Sequence, residues 1–134
     1  MRDKLALEEH ISSDAMNALW DSAGEAARNG REYMDGVEQR LQDVPKRLND
    51  MDECGIATTI LSMTSPGVQG IVDVDRAIRA ARETNDYIHR TFVESHPARF
   101  AFFATAALQD PEAASIELRR CVSELGANGA LVNG

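Results

Sequence analysis

The sequence predicts an α/β fold in which short buried strands alternate with amphipathic helices. Three observations carry this expectation. A helix pattern, a glycine and a β-branched apolar run follow one another between residues 43 and 62. A helix pattern followed by an apolar run recurs from Asp73 to Ala106, with Pro97 in place of the glycine, and Asp110-Pro111 then opens another helix ahead of Ala130-Leu131-Val132. Strands joined through helices pair in parallel by right-handed crossovers.

The first strand starts at Leu5-Ala6-Leu7 and runs into Glu8-Glu9-His10. Residues two apart on a strand face the same way, so Ala6, Glu8 and His10 are expected on one side, with Leu5, Leu7 and Glu9 on the other. A carboxylate and an imidazole at a strand end form half of a divalent-metal site, which needs about two further ligands. No other pair in the chain offers them, and the same residues also suit a solvated strand end.

Ile11 to Gly36 reads as a polar, irregular stretch holding Trp20, Gly24, Gly30 and Gly36. Connections of this length tend to be functional or disordered. Trp20 either serves a site there or anchors the loop to the core.

A helix is expected from Asp43 to Cys54, with Leu41, Val44, Leu48 and Met51 on one stripe. Pro45 suits its first turn and Gly55 its stop. Ile56 to Ser62 then has the composition of a strand buried on both faces. Thr64-Ser65-Pro66-Gly67 begins a turn-rich loop, placed after the second strand. Asp73 or Asp75 caps a long helix reaching Ser95, striped by Ile78, Ala81, Asn85, Ile88 and Phe92. Asn85 needs hydrogen-bond partners if it is buried there. His89 and His96 are expected to face solvent. Arg99 to Ala106 supplies a third strand. Asp110-Pro111 starts a helix striped by Ala114, Leu118, Cys121 and Leu125, and Ala130 to Asn133 begins a fourth strand.

Two architectures fit this order: an open doubly wound sheet, or the first four strand–helix units of a (β/α)8 TIM-type barrel, which typically takes ~250 residues. The final strand has no following helix to cover it, and a half barrel with two open edges makes a poor monomer. A truncated barrel is therefore expected, with residues 1–134 as its N-terminal half.

Composition narrows the function classes. The chain of 134 residues is 43% hydrophobic and 27% charged, ordinary for one globular domain. A net charge of −8, with no basic stripe, argues against a nucleic-acid surface. No apolar stretch approaches the ~20 residues that span a bilayer. The Met-Arg-Asp-Lys start lacks the apolar region of a signal peptide. Cys54 and Cys121 have no C-x-x-C spacing and read as buried thiols of a reducing, cytoplasmic compartment.

Several segments together resemble a known family. Leu5-Ala-Leu-Glu-Glu-His10, Ser62-Met-Thr-Ser-Pro-Gly-Val-Gln69, Asn85-Asp-Tyr-Ile88, Asp110-Pro with Leu118-Arg-Arg-Cys-Val122, and Gly129-Ala-Leu-Val-Asn133 occur in the order seen in the N-terminal half of metal-dependent benzoate decarboxylases of the amidohydrolase superfamily. The 2,3-dihydroxybenzoate and γ-resorcylate decarboxylases are the nearest members. The resemblance covers nearly the whole chain, most weakly between Ile11 and Asp43.

The resemblance implies a distorted (β/α)8 barrel with a zinc, manganese or magnesium ion at its C-terminal mouth. Glu8 and His10 match the first-strand ligands. A histidine and an aspartate from later strands complete the family's site, and neither position occurs here. The implied reaction is non-oxidative decarboxylation of a small hydroxylated aromatic acid, whose carboxylate and ortho-hydroxyl the metal chelates. The later aspartate is the proton donor, so this segment alone is expected to be inactive. Asn133 matches a family asparagine near the mouth, where it either hydrogen-bonds substrate or fixes a loop. Thr64, Ser65, Pro66 and Gly67 lie on the catalytic side and either shape the pocket or form a bare turn. Near Ser22-Ala-Gly24 the family often carries a pocket aromatic; this sequence has Glu25 there, with Trp20 nearby. A homo-oligomer is implied for the complete protein. Two other functions stand beside this one: a hydrolase of the same superfamily, and a non-catalytic α/β module that self-associates.

Overall fold

The computed structural model describes residues 3–22 and 24–133, and the side chains of these except at 19–22, 25 and 26. Three parallel strands form one sheet in the order β1-β2-β3, with β1 at Lys4–Ile11, β2 at Ile56–Met63 and β3 at Phe100–Phe102. Helices α1 (Asp14–Ser22), α2 (Glu25–Asn29), α3 (Arg31–Gln42) and α4 (Val44–Cys54) connect the first two strands. Helix α5 (Val74–Ile88) leads through a π-helical turn at His89–Val93 into β3, and α6 (Pro111–Glu124) follows.

Local chemistry accounts for the element ends. Asp43 accepts from the Lys46 amide with Pro45 in the first turn, and Gly55 closes α4 in the left-handed region at φ 68°. Asp73 caps α5 by accepting from the Arg76 amide, and Asp110 caps α6 through the amides of Glu112 and Ala113. The stretch expected to be irregular between Ile11 and Gly36 is instead mostly helical, in α1, α2 and the first half of α3. Gly24 and Gly30 sit at the joints with φ of 79° and 85°, so two of the three glycines that suggested a loop are corners between helices, and Gly36 lies within α3.

One face of the sheet carries the core. Ile11, Leu61, Met63, Phe100 and Phe102 pack there against Met51 of α4, Ala77, Ala81 and Ile88 of α5, Phe92, and Cys121 of α6. Phe92 meets Phe100 edge-on at 5.6 Å between ring centroids. The opposite face is open: Ile60, Ala101 and Phe103 are half-buried. Leu5 and Leu7 of β1 are 58% and 59% exposed.

Two strands are shorter than expected. The apolar run Arg99 to Ala106 gives a ladder only at Phe100–Phe102. The fourth strand is a single parallel bridge, Ala104 to Ala130. Past Phe103, whose N–H still donates to the Leu61 carbonyl at 2.8 Å, Asn85 takes up the backbone of Thr105: Thr105 N–H donates to Asn85 Oδ1 at 2.9 Å, and Asn85 Nδ2 donates to the Thr105 carbonyl at 3.0 Å. His89 and His96 are half-buried rather than solvent-facing, with Nδ1 of each shielded from solvent and His96 edge-on to Phe100 at 5.9 Å. Cys121 is buried as expected, but Cys54 is exposed at the end of α4. Among the described residues, no helix is long and apolar enough to cross a membrane.

Candidate metal centre

Strand β1 does not run as a plain alternation. Its register with β2 pairs Ala6 with Thr59 and Glu9 with Leu61, so Leu7 and Glu8 together stand opposite Ile60. Two residues against one is a β-bulge, and Glu8 occupies it at φ 57°. The expectation that Ala6 shares a face with His10 is therefore overturned. Ala6 is level with Thr59 and His10 with Ser62, positions of opposite parity on β2. Glu8 is level with Ile60, which shares its face with Ser62.

The helix-facing side of β1 is defined by Glu9 and Ile11. Ile11 is fully buried in the core, and Glu9 lies 3.5 Å from Arg47 Nη1 of α4. Alternation then sets His10 on the open face. Arg47 also donates from Nη2 to the His10 carbonyl at 2.7 Å, so one guanidinium holds both the backbone of His10 and the side chain of its neighbour. Burial pulls the Arg47 pKa below its usual value, with Glu9 and Asp50 opposing that shift. Arg47 is a supporting residue that the sequence reading missed. Its one signal is its place beside Leu48 on the buried stripe of α4, where a cation needs a partner.

A cavity of about 490 Å³ borders Glu8, Glu9 and His10 on the α4 side. Arg40, Lys46 and Arg47 also line it and offset the charge of Glu8, Glu9 and Asp50 there, which leaves no net attraction for a divalent cation. The open face is chemically better suited. A carboxylate and an imidazole are donors that zinc, manganese and magnesium sites use in varying mixtures. The hydroxyl of Ser62, level with His10 on the next strand, is fully buried with no hydrogen-bond partner among the described residues. Glu8 and His10 thus fit as part of a ligand set. Among the described residues, no group of three or more His, Cys, Asp or Glu side chains is arranged to hold a metal.

The other candidate residues lie at the C-terminal ends of the strands. The Thr64 amide donates to the Ile11 carbonyl at 3.1 Å, which ties the loop after β2 to the end of β1. Ser65-Pro66 is a cis peptide, and Gly67 follows with φ 56°. A Cβ on Gly67 would lie 3.2 Å from Asn133 Nδ2 and 3.3 Å from Gln69 Oε1. The Pro66-Gly67 turn and Asn133, far apart in sequence, are thus in contact. Trp20 lies in α1, and its side chain, like that of Glu25, is outside the described residues.

Comparison with known proteins follows the same lines. The amidohydrolase profile matches residues 14–134. This chain belongs to the amidohydrolase family. Over its whole length it is 47% identical to γ-resorcylate decarboxylase of Rhodococcus jostii, spanning 39% of that protein. It superposes with a TM-score of 0.89 and 45% identity on a dihydroxybenzoic acid decarboxylase from a Polaromonas species, a structure with bound manganese and the inhibitor 2-nitroresorcinol. All of the chain and 39% of that structure are covered. A 2,6-dihydroxybenzoate decarboxylase in complex with 2,6-dihydroxybenzoate matches with a TM-score of 0.90 and 42% identity, over all of this chain and 40% of that one. This amidohydrolase chain therefore spans about two-fifths of the length of the relatives it matches. The strand–helix architecture is that of the corresponding part of their barrel.

Proposed function

We propose that this chain forms the N-terminal part of a metal-dependent decarboxylase acting on a hydroxylated benzoic acid. Residues 1–134 are then the first strand–helix units of one barrel domain. The reading is carried by one observation: the chain matches decarboxylases that hold manganese or 2,6-dihydroxybenzoate over its full length, at 45% and 42% identity. The open face of β1, where Glu8 and His10 sit, supports it from the geometry.

Glu8 and His10 hold the divalent ion, zinc, manganese or magnesium, together with ligands from beyond this chain. When bound, the ion would supply positive charge toward the carboxylate and ortho-hydroxyl of the acid. Asn133 donates a hydrogen bond at the pocket rim, and the Thr64-Ser65-Pro66-Gly67 turn forms one side of the ring's enclosure. Trp20 is assigned to the same enclosure from its sequence position. In the reaction the bond between ring carbon and carboxylate breaks, carbon dioxide leaves, and the ring carbon takes a proton in its place. No group of this chain is assigned as that proton donor. The complete protein is a homo-oligomer with a small aromatic acid as its partner.

The test uses the protein carrying this chain together with the remaining length its relatives have. Carbon dioxide release from 2,6-dihydroxybenzoate and bound metal are measured for the unmodified protein, Glu8→Ala and His10→Ala. Loss of most metal and turnover in both variants is expected. Full metal and turnover in both would refute the ligand assignment. Hydrolysis of an amide or lactone without decarboxylation would move the assignment to the hydrolases of the same family.

A further inference from the structure

Two side-chain amides cross-link the loops that follow β2 and β3, and a third ties the β3 loop to α5. Gln69, in the 3₁₀ turn at Gly67–Gly70, donates from Nε2 to the Ala106 carbonyl at 3.1 Å. Gln109 returns the contact from the other loop, donating from Nε2 to the carbonyls of Val68 at 2.9 Å and Ile71 at 2.8 Å. Asn85 of α5 holds the N–H and the carbonyl of Thr105, as a neighbouring strand would.

Asn85 is itself fixed from below. It is fully buried, and its Nδ2 also donates to Glu117 Oε1 at 2.9 Å. Arg120 grips Glu117 through two bonds of 2.7 and 2.8 Å and reaches Asp86 at 2.9 Å. A planar, doubly bonded pair of this kind has little freedom, so the Asn85 carboxamide has one orientation. Charge on charge closes the network at Asn85, Glu117 and Arg120, whereas Gln69 Oε1, Gln109 Oε1 and Thr105 Oγ1 are buried with no hydrogen-bond partner among the described residues.

We propose that Asn85, Gln69 and Gln109 are positioning residues that join the β2 and β3 loops into one preformed wall at the mouth. The wall carries the Pro66-Gly67 turn against which Asn133 packs. A single sheet could not hold these loops together, because the β3 ladder ends at Phe102. The amides replace it. Each glutamine reaches from its own loop to the other, so neither loop can shift alone. In the pocket this removes an ordering cost from substrate binding, since the wall does not have to form around the ring. Only that last step rests on the decarboxylase reading; the joining of the loops does not.

The experiment measures amide hydrogen exchange in segments 64–71 and 103–109 of the complete protein, with Gln69→Leu, Gln109→Leu and Asn85→Ala. Each variant is expected to speed exchange in both segments by roughly tenfold while the β2 amides keep their protection. Loosening confined to the loop that carries the substitution would overturn the proposal. Should Asn85→Ala fail to fold, the two glutamine variants at the surface of the network decide the matter. KM for 2,6-dihydroxybenzoate is expected to rise about tenfold with kcat changed less than about twofold. An unchanged KM beside coupled exchange would overturn the role in the pocket. Coupled exchange in a protein that decarboxylates nothing would leave the wall standing and sink the proposed function alone.

Discussion

Arg47 Nη2 lies 2.7 Å from the carbonyl oxygen of His10, while Nη1 of the same guanidinium faces Glu9 at 3.5 Å. Helix α4 therefore grips the strand end through the Glu9 side chain and the His10 carbonyl, and of the two neighbouring carboxylates it is Glu9 that Arg47 pairs with. This separates two adjacent carboxylates that the sequence alone does not distinguish.

Glu9→Gln is expected to retain metal and turnover, with stability lowered by less than about 1 kcal/mol because the ion pair is partly exposed. Glu8→Gln is expected to lose most bound metal. Manganese content after dialysis compares the two directly. Equal loss in both variants would show that α4 does not sort the carboxylates in this way.

Gly67→Ala places a methyl group 3.2 Å from Asn133 Nδ2 at a backbone φ of 56°. The left-handed conformation costs a non-glycine residue about 1–2 kcal/mol, and the methyl displaces the Asn133 amide. A lower melting temperature and a raised KM are expected together. Thermal unfolding and steady-state kinetics check them. A melting temperature equal to that of the parent would contradict this account of the turn.

Glu117 links the Asn85 network to pH. Burial alone raises a carboxyl pKa, but the hydrogen bonds from Arg120, Asn85 and Cys121 outweigh it and hold Glu117 below the usual carboxylate range. A carboxyl with a depressed folded pKa contributes stability that is complete above its unfolded value of about 4.3 and fades as pH falls through the folded value. Melting temperature measured from pH 7 downward should fall more steeply below about pH 4 in the parent than in Glu117→Gln. Parallel acid limbs would remove Glu117 from the account.

The two thiols should differ in reactivity. Cys54 is exposed, whereas Cys121 is fully buried, with burial and the Glu117 carboxylate pushing its pKa up to about 12. Iodoacetamide at pH 8 is expected to modify Cys54 and spare Cys121 in the folded protein. Intact mass with peptide mapping reads the result, and labelling of Cys121 at the rate of Cys54 would contradict the packing of α6.

Much of this architecture was legible before any coordinates. Asp43-Val-Pro and Gly55 bracket α4, and Asp110-Pro111 opens α6, because caps and left-handed stops depend on residues close in sequence. Of the stripe Ile78, Ala81, Asn85, Ile88 and Phe92, the last four are buried as the spacing predicts and Ile78 is half-buried, and Asn85 has the partners that burial demands. What escaped the sequence depends on distant groups. Nothing local announces a bulge at Glu8, since no glycine or asparagine marks the left-handed residue. Past the early end of β3, the backbone of Thr105 is taken up by Asn85, on another element altogether. The helices between Ile11 and Asp43 were hidden by their own glycine joints. At the candidate metal centre, Glu8 and His10 stood out by residue type, whereas the support from Arg47 required knowing that α4 crosses the end of β1.

The bulge in β1 has a further consequence. Because Leu7 and Glu8 share one rung with Ile60, the strand before them is half a repeat out of phase with the strand after them. The joint uncouples the two parts. A side chain ahead of the joint therefore belongs to the opposite surface of the sheet from the one that counting back from Ile11 would give it. Lys4 fastens that leading end, its amide donating to the Gly55 carbonyl at 3.1 Å and its ammonium to the Cys54 carbonyl at 2.7 Å.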